Sequence, residues 1–275
     1  SSSLNSGLDE ILEIRKNVSD TGTSVDVSRI LIKFDTTYFQ EASSSGLIPQ
    51  TGSRAAKYYL NFYDANPKAL AASQSLYAYA ISGSWDMGTG RSYDNPQTSD
   101  GCSWKYRYSE TDGTLWASGS GANDGAGGVW YSSSVAPAAS ASLNHQTRDL
   151  KIDVTGTVNK WLNGNVINDG FLVKRSGSVG NNHPSASEGN TDRLGSFSFF
   201  SSNTHTIFPP TLEGVWDDSS WSPGSLDELT SANLEDSVVY MKGLRPEYKE
   251  NSRAKFRVVG RERFPSATYS TTPAG

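Results

Sequence analysis

The clearest alternation of hydrophobic and polar residues lies in the stretch Asp149–Arg175. Leu150, Ile152 and Val154 alternate with polar residues, which is typical of a strand with one buried face. After an Asn-Asp-Gly turn, the apolar run Phe171–Val173 begins another strand. This pattern indicates a segment that packs in the hydrophobic core rather than one that carries catalytic residues.

Between these two strands, the spacing predicts a short helix. Val158, Trp161 and Leu162 recur at i, i+3 and i+4, so they share one helical face. Thr155 is placed to cap the helix, because its hydroxyl can accept from a free N–H of the first turn. Gly164 ends the helix, since glycine adopts a left-handed backbone at little cost.

Further alternations and short apolar runs predict an all-β protein. Leu8–Ile14 could be a helix by propensity, but we favour a strand because the next element is strongly β. Thr36–Tyr38 is expected to lead from a strand into a loop. The predicted strands are Leu8–Ile14, Val25–Phe34, Ala55–Tyr63, Leu76–Ile81, Gly195–Ser201 and Thr211–Trp216.

A long irregular region follows the fourth of these strands, from about Asp86 to Ser142. Loops of this length are uncommon in compact domains and are often functional. Aromatic residues recur between its turns. They could stack on sugars or partner proteins, or they could plug the ends of a sandwich. The candidate ligand or partner contacts are Trp85, Trp104, Tyr106, Trp116 and Trp130.

The segment Asp217–Gly224 is acidic, serine-rich and contains Pro-Gly, which predicts a domain boundary. We therefore expect a β-sandwich over residues 1–222 and a partial second β domain or docking arm over residues 223–275. Val238–Met241 and Lys255–Val259 are the strand-like segments of that tail. About 50 residues are too few for a comfortable independent core.

Composition and charge argue against several classes of partner and location. The net charge is −5 and the pI about 5.3, which argues against nucleic-acid binding, because that requires a basic face. Cys102 is the single cysteine, so no internal disulfide can form. No apolar run is long enough to span a membrane. Ser1–Ser3 has neither the basic nor the apolar region of a signal peptide, so we expect no leader here.

No set of residues predicts a chemistry by itself. Asp217 and Asp218 are adjacent, and neighbours on a strand point to opposite faces, which is a poor geometry for a glycosidase pair. The histidines lack zinc-like spacing, so we expect neither a catalytic site nor a resident metal or cofactor. A loop Ca²⁺ stays open as an alternative, since this ion prefers oxygen ligands. Its candidate ligands are Asp86, Asp94, Asn95, Asp100, Asn123 and Asp124.

Several pieces taken in order resemble the DNRLRE-type β-sandwich domain, which is related to carbohydrate-binding modules. The resemblance spans Asn5–Trp216 and implies an antiparallel, jelly-roll-like sandwich with one short helix. The matching pieces are SRILIKFD (Ser28–Asp35), AAKYYLNFYDA (Ala55–Ala65), LYAYAISGSWDMGTG (Leu76–Gly90), DGCSWKYR (Asp100–Arg107), DVTGTVNKWLNG (Asp153–Gly164), NDGFLVKR (Asn168–Arg175) and FFSSNTHTIFPPTLEGVW (Phe199–Trp216). The structural motif positions it implies are Arg29, Phe34, Asp35, Asp153, Thr155, Trp161, Gly170 and Phe171.

The version that this chain resembles most is found in structural proteins of tailed-phage virions, through WDMGTGR, SWKYR and the tail after residue 237. That resemblance implies a head decoration, neck, tail or fibre component, assembled in the bacterial cytoplasm. Its partners would be other virion proteins, further copies of the chain and a host-surface glycan. Two departures are that the strand usually preceding the N-x-G-x-(D/E) motif is missing and that the second domain stops early.

Three hypotheses follow. The first is a non-enzymatic virion structural protein, and the second is a carbohydrate-binding module of a secreted or cell-surface protein. The third is an enzyme such as a polysaccharide lyase, for which Tyr106 and Arg107 would have to share one groove. We expect the first.

Overall fold

The computed structural model describes residues 3–20, 25–66, 73–116, 127–143, 149–176, 188, 192–217 and 237–263. The chain divides into two compact units, Ser1–Asp218 and Ser219–Gly275. In chain order the elements are β1 (Ile11–Val18), β2 (Val25–Val27), β3 (Ile30–Ile32), α1 (Thr37–Ser44), β4 (Lys57–Phe62), β5 (Gln74–Ala80), β6 (Ala139–Leu143), β7 (Leu150–Asp153), α2 (Thr155–Leu162), β8 (Phe171–Arg175), β9 (Gly195–Phe200), β10 (Thr211–Val215), β11 (Ser237–Lys242) and β12 (Arg257–Glu262). All the strand pairs are antiparallel, so the predicted all-β fold is confirmed.

The first unit is a sandwich of two layers. One layer is the four-stranded sheet β3-β8-β5-β6. The other contains the sheets β2-β1-β9 and β10-β4-β7. Phe200 N–H donates to the Tyr63 carbonyl, and Ala65 N–H to the Ser198 carbonyl, which joins these two sheets where β4 ends.

The main core lies between the layers and follows the alternation in the sequence. In β4, Tyr58, Leu60 and Phe62 are buried, whereas the residues between them face outward. β8 is different, because all five of its residues are buried. It has a sheet neighbour on each side and is covered on both faces.

The stretch Asp149–Arg175 folds as predicted, into β7, α2 and β8. Val158 and Trp161 are buried in the main core, and the Trp161 ring lies 4.6 Å from that of Phe171. Gly164 has φ +69°, as a left-handed helix end requires.

The predicted cap of α2 is wrong in its details. Val154 occupies the N-cap position, and its side chain makes no capping hydrogen bond. Asp153 Oδ1 instead accepts from the backbone N–H (3.0 Å) and the hydroxyl (2.6 Å) of Thr155. The Thr155 hydroxyl in turn accepts from Tyr58 N–H at 2.9 Å, so Thr155 ties the helix to β4.

Two predictions around β3 are also wrong. Val25–Phe34 is not one strand, since Ser28 separates β2 from β3 and the two strands belong to different sheets. The Ser28 hydroxyl accepts from Arg15 N–H and donates to the Glu13 carbonyl, which holds the chain against β1 at this corner. The chain after Asp35, which was predicted to be a loop, forms the helix α1, in addition to the one helix that was predicted. This helix begins with the same Asp-x-Thr turn as α2.

In the second unit, β11 and β12 form an antiparallel hairpin. The chain between them packs the Tyr248 ring against Phe256, with centroids 5.6 Å apart. Tyr248 OH also accepts from Arg245 N–H at 2.9 Å. The first of these strands matches the strand-like segment expected at Val238–Met241.

Candidate functional site

The candidate site lies on the outer face of the four-stranded sheet, under the long segment that joins β5 to β6. Side chains of β3, β5 and β8 that point away from the main core meet loop aromatics there. They form a second hydrophobic cluster around buried Ile81, Trp116 and Leu172. Packed around these three are Leu31, Tyr79, Trp85, Cys102, Val129 and Trp130.

Three of the four loop tryptophans are held in place by this cluster. Trp116 is 3% exposed, and its indole N–H donates to the Ser103 carbonyl at 2.7 Å. The Trp85 indole N–H donates to the Asp169 carbonyl at 2.8 Å, in the turn before β8. Trp130 pairs with Ile81 as a β-bridge, and its ring lies 5.4 Å from that of Tyr79. Their first role is therefore packing, and any contact with a ligand stays a prediction.

Trp104 is half-buried and differs from these three. The Arg29 guanidinium stacks 4.7 Å from the centre of its ring. Gly127, with φ +76°, lies against both groups, and a Cβ at that position would lie 2.8 Å from the indole and 2.5 Å from the guanidinium. Only glycine fits this close approach.

A buried ion cluster lies directly beneath the aromatic residues. Arg29 binds Glu188 through two nitrogens, at 2.6 and 3.3 Å, and Lys174 Nζ lies 3.4 Å from the same carboxylate. The three side chains are 4%, 0% and 1% exposed, respectively. Burial lowers the pKa of Lys174 to about 8, while the charge of Glu188 opposes that shift. The cluster joins β3 and β8 to Glu188, and Arg29 also donates to the Gly127 carbonyl in the loop.

The N-terminal motif Asn5-x-Gly7-x-Asp9 fastens the other end of the loop. Asn5 is 3% exposed, and its amide nitrogen donates to the carbonyls of Met87 and Cys102, both at 2.7 Å. Its amide oxygen accepts from the N–H groups of Gly90 and Gly7. A Cβ on Gly7 would lie 2.0 Å from the Met87 carbonyl oxygen, which explains the glycine.

A groove of about 920 Å³ opens between this N-terminal segment, β1, β3 and the loop. Trp85, Trp104 and Trp116 line it, and so do Arg91 and Tyr93. The Tyr93 ring is 68% exposed, and its hydroxyl accepts from Arg91 at 2.7 Å. The groove thus presents aromatic faces next to hydrogen-bonding groups, a combination that suits sugars and peptides.

The structure separates the other two predicted contact residues from this groove. Tyr106 pairs with Leu115 as a β-bridge and lies near Lys105, and it is not among the groove residues. Trp130 is not among the groove residues either, and Arg29 and Lys174 lie within 6 Å of its ring centre. Arg107, which a lyase would need beside Tyr106, donates instead to the Ser84 carbonyl.

The loop carboxylates mostly close turns. Asp100 accepts from the N–H and hydroxyl of Thr89, which lowers its pKa, and Asp94 accepts from Arg91 N–H and Thr98. No group of three or more metal-binding side chains of the His, Cys, Asp and Glu types occurs among the described residues. The Ca²⁺ candidates Asn123 and Asp124, and the histidines His145 and His183, lie outside the described residues.

Cys102 contributes packing to the second hydrophobic cluster. Burial, reinforced by the nearby Asp86 carboxylate, raises the pKa of its thiol to about 12. Because the thiolate is the nucleophilic form, this sulfur is unreactive near neutral pH.

Sequence reasoning found the aromatic residues of this site but missed the groups that organise them. Glu188 lies in a polar segment with no recognisable pattern, and Lys174 reads as the exposed end of a strand. Asn5 could be found only through the Asn-x-Gly-x-Asp motif. The contribution of each group depends on contacts across 14 to 159 residues of sequence, which local periodicity does not encode.

Among the described residues, no helix has the length and apolar character that crossing a membrane requires. Comparisons of the chain with protein-family models, curated proteins and solved structures gave no match, so the resemblance to DNRLRE-type domains remains a prediction.

Proposed function

We propose that this chain is a non-enzymatic structural protein of a tailed-phage virion that acts through protein–protein contacts. The resemblance of its ordered motifs motivates the class of particle. The observation that carries the proposal is the apolar face of the β11–β12 hairpin. Head decoration, neck, tail and fibre positions all fit this function.

The pairing register defines that face. Val239 lies opposite Gly260, and Met241 lies opposite Val258, so these four residues share one side of the hairpin. Val239, Met241 and Val258 are 68%, 52% and 65% exposed, and a Cβ on Gly260 would meet no atom within 4 Å. An isolated two-stranded hairpin is marginally stable in water, so a partner that covers this face would stabilise it.

The sandwich suits a structural role because its long loop is fastened at several points. Asn5 holds one end of the loop, and the Arg29–Glu188–Lys174 cluster holds the other. Breaking a buried ion pair is costly, since it leaves an uncompensated charge. The outer surface of the sheet is therefore a fixed shape that neighbouring subunits could recognise.

The test is mass spectrometry of tailed-phage particles that have been purified on a density gradient from a culture encoding the chain. We expect its peptides to co-purify with infectious particles at a constant ratio to the major capsid protein. Peptides found only in the soluble fraction of the lysate would overturn the proposal.

A second candidate function is carbohydrate binding in the groove, and it is favoured by the lining of that groove, which includes Trp104, Arg91 and the exposed Tyr93. Aromatic rings bind the apolar faces of sugars while neighbouring polar groups orient the hydroxyls. Such binding could serve host adsorption within a virion or a free-standing module.

A glycan panel that includes host surface polysaccharide, with and without Ca²⁺, tests this second function. Saturable binding should be lost in Tyr93→Ala and Trp104→Ala. Tyr38→Ala is the matched control, because Tyr38 is also 68% exposed but lies on α1, away from the groove. No binding by the folded protein, or equal losses in all three variants, would exclude the groove as a sugar site.

A further inference from the structure

The second face of the β11–β12 hairpin is basic. Lys242 lies directly opposite Arg257, and Val238 lies opposite Arg261, with Tyr240 and Val259 between these pairs. Like charges directly opposite each other on a hairpin are destabilising. The pair Lys242–Arg257 therefore weakens the hairpin unless an anionic group lies against it.

Three cations of this hairpin meet at one point. Lys242, Lys255 and Arg257 line a small cleft of about 360 Å³ together with Gly243. None of the three forms a salt bridge to a carboxylate in the part of the chain that the structure describes. This grouping points to an acidic partner.

The charge distribution along the chain identifies a partner of that kind. Residues 237–263 contain eight Lys or Arg and three Asp or Glu, a net charge of +5. The first unit, Ser1–Asp218, contains 16 Lys or Arg and 22 Asp or Glu, a net charge of −6, and residues 219–236 contribute the remaining −4 of the whole chain's −5. Buried charges increase this contrast, because Lys16, Lys174 and Arg175 are buried in the sandwich whereas its buried acids are Glu188 and Asp169.

We infer that the hairpin is a docking arm that binds the acidic surface of a second copy of this chain. The inference rests on the proposed structural function, and it identifies another copy of the chain as one of the partners. Electrostatic attraction would guide the arm, and its apolar face would supply burial.

The test is sedimentation of the full chain over a range of protein and NaCl concentrations. We expect reversible association at about 50 mM NaCl that weakens at least tenfold by about 300 mM, since salt screens exposed charges. The double substitution Lys242→Glu and Arg257→Glu should abolish it. This variant keeps a like-charged pair across the hairpin, so the stability of the hairpin itself is matched.

The control is Lys33→Glu with Lys57→Glu, which changes the net charge by the same amount at two exposed lysines of the sandwich. This variant should associate as tightly as the wild type or more tightly. A wild-type chain that stays monomeric at every concentration, or association that survives the hairpin substitutions, would overturn the inference. Hairpin-dependent binding to a mixed-sequence DNA duplex by a monomeric chain would overturn it as well.

Failure of this inference differs from failure of the proposed function. A monomeric chain that still co-purifies with infectious particles has another virion protein as its partner. A chain that self-associates through the hairpin but is absent from particles keeps the interface and loses the virion role.

Discussion

The two faces of β8 are both buried, but they are covered in different ways. On one side, Phe171 and Val173 join the main core, which strands of both layers and α2 complete. On the other side, Leu172 lies under loop aromatics, and Lys174 lies in the ion cluster with Arg29 and Glu188. One face is closed by regular elements, and the other by an irregular segment.

This difference shows how a long loop becomes a defined surface. Among the described residues, the second hydrophobic cluster contains three buried members, far fewer than the main core, so apolar contacts contribute less to the path of the loop. Directional contacts contribute more: the four side-chain hydrogen bonds of Asn5, the indole hydrogen bonds of Trp85 and Trp116, and the charges around Glu188. Stability should therefore depend on apolar volume in the main core and on individual polar groups outside it.

The largest effect is expected from the main core. Trp161→Ala should lower the free energy of unfolding by about 4 kcal/mol, because it leaves a large cavity against Phe171. Urea denaturation followed by circular dichroism measures this loss.

Trp161→Phe is the matched control. The Trp161 indole N–H is buried and finds no acceptor among the described residues, so removing it costs no hydrogen bond. We expect a loss of only about 1–2 kcal/mol from the smaller volume. Equal losses in the two variants would show that ring packing does not dominate the main core.

The next effect is expected from the ion cluster. Glu188→Ala should cost about 3 kcal/mol, because it removes the carboxylate that compensates two buried cations. Glu213→Ala is the control, since Glu213 pairs with Lys151 on the surface, where both side chains are about half exposed. Exposed pairs contribute little, so the control should unfold at the wild-type urea midpoint. If both variants shift that midpoint equally, the cluster does not fasten the loop.

The elements that pack in the main core were also the ones that the sequence predicted best. β4, β7, α2 and the buried side of β8 were predicted correctly from alternation and helical spacing, since each buries one face against regular elements. The failures occurred where a single side chain redirects the chain. Ser28 splits one predicted strand between two sheets, and the Asp35-x-Thr37 turn starts a helix where a loop was expected.

The candidate site could be predicted only in part. Turn residues and recurring tryptophans identified the loop, and Trp85, Trp104 and Trp116 do share one groove. The sequence could not place Tyr106 outside that groove or bring Glu188 to Arg29, because those positions depend on the three-dimensional path of the loop. The basic face of the hairpin was missed because a net charge of −5 averages over two regions of opposite sign.

The smallest effect concerns pH and separates the ion cluster from the main core. Burial lowers the pKa of Lys174 from its ordinary value of 10.5 to about 8, against the opposing charge of Glu188. Between these values the unfolded chain holds a proton that the folded chain has released. The free energy of unfolding should therefore rise with pH, by about 1 kcal/mol between pH 7 and pH 9.

Lys174→Met tests the origin of this rise, because methionine keeps much of the side-chain length without the charge and leaves Glu188 bound to Arg29. Its urea midpoint should not rise between pH 7 and pH 9, while that of the wild type increases. The range stops at pH 9 because burial raises the pKa of Cys102 to about 12. Above its ordinary value of 9.0 the folded thiol keeps a proton that the unfolded chain loses, so this group lowers stability as pH increases further. A wild-type midpoint that is level or falls between pH 7 and pH 9 would mean that Lys174 keeps its charge at no cost, and that the face of β8 under the loop is more polar than its burial indicates.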